Sequence, residues 1–163
     1  MSRSTTAPAL QVTFDAHDPR GLSRFWRDAL NYRHPSPPGV DVPENTDPLE
    51  AWDGFLEEIG LPREDWNAFS ALEDPAGVGP RLFFQQVPEE KVTKNRLHVD
   101  LHVAVDAAGE PLFGDDRFEV LETECDRLIA LGAQRLHRQE PEMPLIWGHI
   151  IMADPEGNEF CLD

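Results

Sequence analysis

Three ionisable residues alternate in one short segment: His98, Asp100 and His102. Side chains along an extended strand point to opposite faces in turn, so these three share one side. An imidazole oriented by a carboxylate is a general base, and the same pair is the start of a metal site. A structural use fits the same face, with Asp100 paired to an arginine and His102 in solvent. Glu159 and Cys161 stand two residues apart and share a face by the same alternation. Cys161 is a nucleophile if a neighbour lowers its pKa, and an inert buried thiol otherwise. The acidic balance of the chain and the nearby Glu159 work against a thiolate. Glu159 is a proton shuttle if apolar neighbours such as Trp147 raise its pKa, and an ion-paired rim carboxylate otherwise. Trp147, Trp66 and Phe69 are candidate aromatic walls for an organic ligand. Trp52 falls in a helical stripe with Phe55 and Ile59 and is expected in the core, as is Trp26. His17, His34 and His137 fall in or beside loops and are expected in solvent.

The hydrophobic pattern marks the elements that hold these residues. Leu10, Val12, Phe14 and Ala16 alternate with polar residues over 9–16, which predicts a strand. Asp18-Pro19 then supplies a cap and a first-turn proline for a helix carrying Leu22, Phe25, Trp26, Ala29 and Leu30. Pro35, Pro37, Pro38, Gly39 and Pro43 make 34–46 a loop. Asp47-Pro48 opens a second helix over 47–60, and 62–66 adds a turn. Strands are expected at 67–72, 81–87, 97–105, 133–138, 147–153 and 158–162. A third helix over 117–131 turns Phe118, Leu121, Cys125, Leu128 and Ile129 to the core and is closed by Gly132.

The chain repeats itself. Asp74-Pro75-Ala76-Gly77 and Asp154-Pro155-Glu156-Gly157 are matching turns between strands. Each half reads strand, helix, then three strands, which is a duplicated βαβββ module. The boundaries are 9–88 and 96–163 within one domain of 163 residues, with helix 47–60 inserted in the first half. One face of each module needs a cover, so the two copies are expected to curl around a shared cleft.

Composition narrows the partners. Thirty-one acidic residues against 14 basic ones give a formal charge of −17. That field repels phosphate backbones and anionic lipid surfaces, so neither nucleic acid nor membrane is an expected partner. No window approaches the roughly 20 apolar residues of a membrane span, and the first residues lack the apolar stretch of a signal peptide. Two cysteines make no disulfide framework, so a cytoplasmic location is expected. No glycine-rich phosphate loop, nucleophile elbow or zinc-ribbon spacing is present, which argues against a nucleotide cofactor.

The element order, Asp18-Pro19 with Phe25-Trp26, Lys94-Asn95-Arg96-Leu97-His98-Val99-Asp100-Leu101, Leu131-Gly132-Ala133, and the tail from Asp154 to Leu162 carry a resemblance. Together they make the chain similar to the vicinal oxygen chelate superfamily, which includes glyoxalase I, extradiol dioxygenases and the bleomycin- and fosfomycin-resistance proteins. Within it the chain resembles the glyoxalase-like domain branch. The resemblance implies an α+β fold in which two βαβββ modules form a half-open, eight-stranded barrel around one cleft. It also implies a divalent metal held by single residues from strands of both modules. Carried over by position, the ligands fall on Gln11, Gln85 and His98. The last-strand ligand, normally a glutamate, falls on Cys161, with Glu159 two residues earlier. Two amides and a thiol lack the anionic charge that hard cations need, so any metal is expected to be weakly held. Zinc accepts His98 and Cys161.

Two functions follow. One is a glyoxalase-like small-molecule enzyme of lyase, isomerase or dioxygenase type, with His98 and Glu159 as ligand or base. Asp100, Trp147 and Cys161 then line its pocket. The alternative is a metal-free, ligand-binding or drug-sequestering protein. Either takes a small organic molecule as partner, and exposed sheet edges favour a homodimer.

Overall fold

Asp18 turns the first strand into the first helix. In this computed structural model, which describes residues 9–43 and 46–163, β1 spans Gln11–Ala16 and α1 spans Pro19–Leu30. Asp18 Oδ1 accepts the Gly21 amide at 3.0 Å and the Asn67 side-chain amide at 2.9 Å. Asn67 Oδ1 in turn accepts the Arg20 amide at 3.0 Å. Asp18→Ala removes one of these partners and is expected to cost about 1 kcal/mol. Denaturant unfolding reads that loss, and an unmoved midpoint would show the cap to be dispensable.

The inserted helix α2 spans Pro48–Glu58 and starts on Asp47, whose carboxylate accepts the Leu49 amide at 3.0 Å. A short 3-10 turn, Arg63–Asp65, follows. Then come β2, Phe69–Leu72, and β3, Arg81–Gln86. The sheet order is β1-β3-β2, with β1 parallel and β2 antiparallel to β3. The chain divides between Glu89 and Glu90 into two compact units.

The second unit holds β4, Val99–Leu101; α3, Gly114–Ala130; β5, Gln134–Gln139; β6, His149–Ala153; and β7, Glu159–Leu162. Its order is β4-β7-β6-β5, with β4 parallel to β7 and the other pairs antiparallel. Replacing β4, β7 and β6 by β1, β3 and β2 reproduces the first sheet. The duplication read from the sequence is therefore a duplication of topology. Its two matching turns share a mechanism as well. Asp74 side-chain oxygens accept the amides of Ala76, Val78 and Gly79, and Asp154 Oδ1 accepts those of Glu156 and Asn158.

The described residues form seven strands, not the eight expected. The place of β5 in the first unit is taken by a single antiparallel bridge, in which Arg33 and Glu73 exchange backbone hydrogen bonds of 3.0 and 2.9 Å. Pro35, Pro37 and Pro38 follow at once, and prolines have no N–H to extend a ladder. The strand expected over 97–105 is also shorter, because β4 pairs only with the four-residue β7. Outside that pairing Leu97 is 72% exposed.

Each unit has its own core. In the first, Leu22, Phe25, Trp26 and Ala29 of α1 are buried with Leu72, Leu82 and Phe84 of the sheet. Phe14 stacks on Phe84 at 5.1 Å between centroids and meets Trp26 at 5.3 Å. In the second, Leu121, Cys125 and Leu128 of α3 are buried with Leu101, Ile150, Met152, Phe160 and Leu162. Ile129 and Ile59, expected to face the core, are largely exposed. Among the described residues no helix is long and apolar enough to cross a membrane.

Candidate functional site

In the second unit, Leu101, Phe160 and Leu162 point to the core, so alternation turns Asp100, Glu159 and Cys161 to the other face of the sheet. Asp100 and Cys161 are register partners on the parallel strands β4 and β7. His98 lies just ahead of β4, and its Nε2 is 3.2 Å from Asp100 Oδ1. One donor atom from each of His98, Asp100 and Cys161 falls within 4.8 Å of the other two. Asp100 therefore pairs with a histidine rather than an arginine. His102 is not part of this cluster: its Nδ1 contacts Asp163, and its side chain is largely exposed.

The Cys161 thiol is pushed up to about 11, first by burial and then by the charge and hydrogen bond of Asp100. It is accordingly a neutral thiol near neutral pH, as the acidic surroundings suggested.

Glu159 sits in an ion pair. Lys91 Nζ lies 3.1 Å from its Oε2, and the Asn95 amide donates to the same oxygen at 2.8 Å. Burial pushes its pKa up, but the Asn95 amide and the Lys91 ammonium outweigh burial and hold it below the usual carboxylate value. A depressed folded pKa stabilises the protein above the unfolded pKa, and that contribution is lost as pH falls through the folded value. Glu159→Gln is therefore expected to lower the melting temperature at pH 7, and the gap to narrow as pH falls through and below the usual carboxylate range. Melts of both proteins across that range check this, and an equal gap at pH 3 and pH 7 would contradict it.

Trp147 precedes β6 and packs edge-on against Phe113 at 4.7 Å between centroids. Gln11 and Gln85 lie on the first unit's sheet, where both amides are engaged. Gln11 accepts from Arg81, and Gln85 donates to Asp15 Oδ1 at 2.7 Å.

The first unit also contains a cavity, lined by Trp52, Trp66 and Phe69 among others. Trp66 and Phe69 are thus cavity walls. Trp52, expected in the core, is a half-buried wall as well, its indole N–H tied to the Pro35 carbonyl at 2.8 Å. His34, expected in solvent, is 3% exposed. Its Nε2 is 3.0 Å from Ser23 Oγ, which is 2.8 Å from Ser70 Oγ. Burial, reinforced by the positive charge of Arg27, lowers its pKa to about 4. The signal for this network lay in the serines. Ser23 interrupts the apolar stripe of α1, and Ser70 takes an inward position in β2, so each needs a buried polar partner.

Imidazole nitrogen, carboxylate oxygen and sulfur form a donor set for a borderline-soft divalent cation such as zinc. Donors on a shared zinc lie roughly 3.4–3.8 Å apart. His98 Nε2 and Asp100 Oδ1 already stand 3.2 Å apart, and one donor atom from each of the three side chains lies within 4.8 Å of the others. The set fits a zinc-like ion better than magnesium or manganese, which favour oxygen ligands alone.

The comparisons with known proteins agree with this architecture. No curated protein matches the chain in sequence. Solved structures do match it in fold. One is a glyoxalase/bleomycin resistance protein/dioxygenase family enzyme from Burkholderia phytofirmans PsJN, 16% identical with a TM-score of 0.52, covering 93% of this chain and 94% of that one. Another is a possible glyoxalase from Bacillus cereus, 13% identical with a TM-score of 0.51, covering 96% and 98%. A third is the fosfomycin resistance protein FosX of Listeria monocytogenes, 11% identical with a TM-score of 0.54, covering 97% and 91%. A variant of that protein is known in complex with Mn(II) and dihydroxypropylphosphonic acid. At these identities the likeness is one of fold. The sequence profile of the glyoxalase-like domain matches residues 11–162, nearly the whole chain. The chain belongs to the glyoxalase-like domain family.

Proposed function

We propose that the chain is a small-molecule enzyme of lyase, isomerase or dioxygenase type, and that it works with a divalent cation held by His98, Asp100 and Cys161. The observation that supports this is the convergence of three different donor atoms within 4.8 Å on one face of the second sheet. When bound, such a cation acts as a Lewis acid on a substrate oxygen. The chain's own residues do the rest. Asp100 Oδ1 stands 3.2 Å from His98 Nε2, so the two side chains already face each other as neighbouring donors. Glu159 fixes the segment leading into His98 through Lys91 and Asn95. Its depressed pKa suits an anchor that positions His98 more than a proton shuttle. Gln11 and Gln85, tied to Arg81 and Asp15, are weak candidates for ligands.

A metal-free, ligand-binding protein is the second reading, favoured by the aromatic cavity of the first unit. In both readings the partner is a small organic molecule, the assembly a homodimer and the location cytoplasmic. Elemental analysis of protein purified from zinc-supplemented cells separates the two. One metal per chain, lost in His98→Ala, supports the enzyme reading. A metal-free protein that takes up no stoichiometric zinc supports the second.

A further inference from the structure

Alternation along β2 and β3 puts Phe69, Ala71, Arg81 and Phe83 on one face of the first sheet, opposite the buried Ser70, Leu72, Leu82 and Phe84. These four line the first unit's cavity, with Trp52 and Trp66 as further walls. Its volume is about 300 Å³, which suits a small organic ligand. Phe69 stacks on Phe83 with centroids 5.6 Å apart. Both indole N–H groups are already used: Trp52 donates to the Pro35 carbonyl at 2.8 Å, and Trp66 to the Leu61 carbonyl at 2.9 Å. To a ligand these aromatic side chains offer ring faces and apolar area.

Arg81 gives the cavity a polar edge. Its guanidinium carbon lies 5.3 Å from the centroid of the Phe83 ring, so the charge stands against one of the walls. The side chain is exposed and open to solutes. Nη1 donates to Gln11 on β1, the register partner of Arg81. Nη2 and Nε bind no described residue, which leaves most of the five N–H donors open. Arg20, Arg27 and Arg33 of the same unit have carboxylate partners in Asp53, Asp28 and Glu73. Arg81 has none among the described residues, although the chain carries 31 acidic residues against 14 basic ones. A guanidinium in this state presents paired N–H groups that match the two oxygens of a carboxylate. Asp65 is also on the lining. Its charge opposes an anion and weighs more heavily on a dianion than on a monoanion.

We propose that this cavity binds an aromatic monocarboxylate, with its ring against the aromatic walls and its carboxylate on the Arg81 guanidinium. Stacking supplies the apolar part of the affinity, and the charge-assisted hydrogen bonds to Arg81 supply the selectivity. The proposal rests on the reading of this cavity as a ligand site. It is built by the first unit alone and does not depend on a cation at His98.

The test is calorimetry on the full chain at pH 7 in the presence of chelator, with three probes that share one ring system: 2-naphthoate, 2-naphthamide and 2-naphthylmethylammonium. The expected result is saturable one-to-one binding of naphthoate, with the amide and the ammonium at least about tenfold weaker. Arg81→Gln should bring naphthoate down to the affinity of the amide and leave the amide within about twofold. Phe69→Ala should weaken both alike. Arg63 lies over Trp66 but outside the lining, so Arg63→Gln removes the same charge from the same unit and should leave the preference for naphthoate intact. If Arg81→Gln does not fold, the three probes on the unaltered protein still decide. Equal binding of naphthoate and naphthamide would overturn the proposal and leave the cavity a ligand site. No saturable binding of any probe would overturn both. Tightest binding of the ammonium, a preference for naphthoate that survives Arg81→Gln, or its loss in Arg63→Gln would each overturn the proposal as well.

Discussion

Replacing Cys161 by serine is expected to weaken zinc binding by about 100-fold or more. Loss of a residue that merely orients a ligand costs about 10–100-fold, and Cys161 is placed to be a ligand itself. Its sulfur also supplies the donor that makes the set suit zinc rather than a hard cation. His98→Ala should cost as much, because it removes the imidazole and leaves Asp100 without the partner now 3.2 Å away. His102→Ala is the control. That residue belongs to the same sequence segment but contacts Asp163 and lies outside the three-residue cluster. Its removal should leave zinc affinity unchanged within about twofold. Competition titration against a chromophoric chelator reads all three. Equal losses in His102→Ala and Cys161→Ser would place the site elsewhere.

Neighbouring substitutions in α3 should differ most in stability. Leu128 is fully buried, whereas Ile129 is 44% exposed. Leu128→Ala removes packed methyl groups and leaves a cavity, a cost of about 2–5 kcal/mol. Ile129→Ala should cost roughly 0.5 kcal/mol, as surface changes do. Against a total stability of about 5–15 kcal/mol, the first is a large fraction and the second a small one. Urea unfolding followed by circular dichroism measures both. Equal midpoint shifts would mean that the face α3 turns to its sheet is misassigned.

That contrast shows what the sequence could and could not reveal. Helical spacing placed Phe118, Leu121, Cys125 and Leu128 correctly, because a period of 3.6 is local information. It could not tell where the buried stripe ends, so Ile129 was included. The Asp-Pro caps at Asp18 and Asp47 and the paired turns at Asp74 and Asp154 were legible because each is closed by bonds within a few residues. The length of β4 was not, since a strand is limited by its partner, and β7 offers only four residues. Among the described residues the first unit lacks a counterpart of β5 because Pro35, Pro37 and Pro38 end the ladder beyond Arg33; a run of prolines is legible as loop, but not which ladder it cuts short.

The cluster of His98, Asp100 and Cys161 was half visible. Alternation put the right residues on the right faces, but only the parallel register of β4 and β7 sets Asp100 beside Cys161. His34 is invisible in the sequence because its place beside Ser23 of α1, which meets Ser70 of β2, is set by contacts distant along the chain that no local pattern encodes.

The most direct test of a cation at His98, Asp100 and Cys161 is a cobalt(II) titration that follows absorbance and proton release together. Cys161 is a neutral thiol with a pKa near 11, and a thiol must lose its proton to bind a metal. At pH 7 each cobalt bound should release about one proton and produce a sulfur-to-cobalt charge-transfer band, and both signals should vanish in Cys161→Ser. Cobalt binding without the band and without proton release, or no stoichiometric binding at all, would contradict the account.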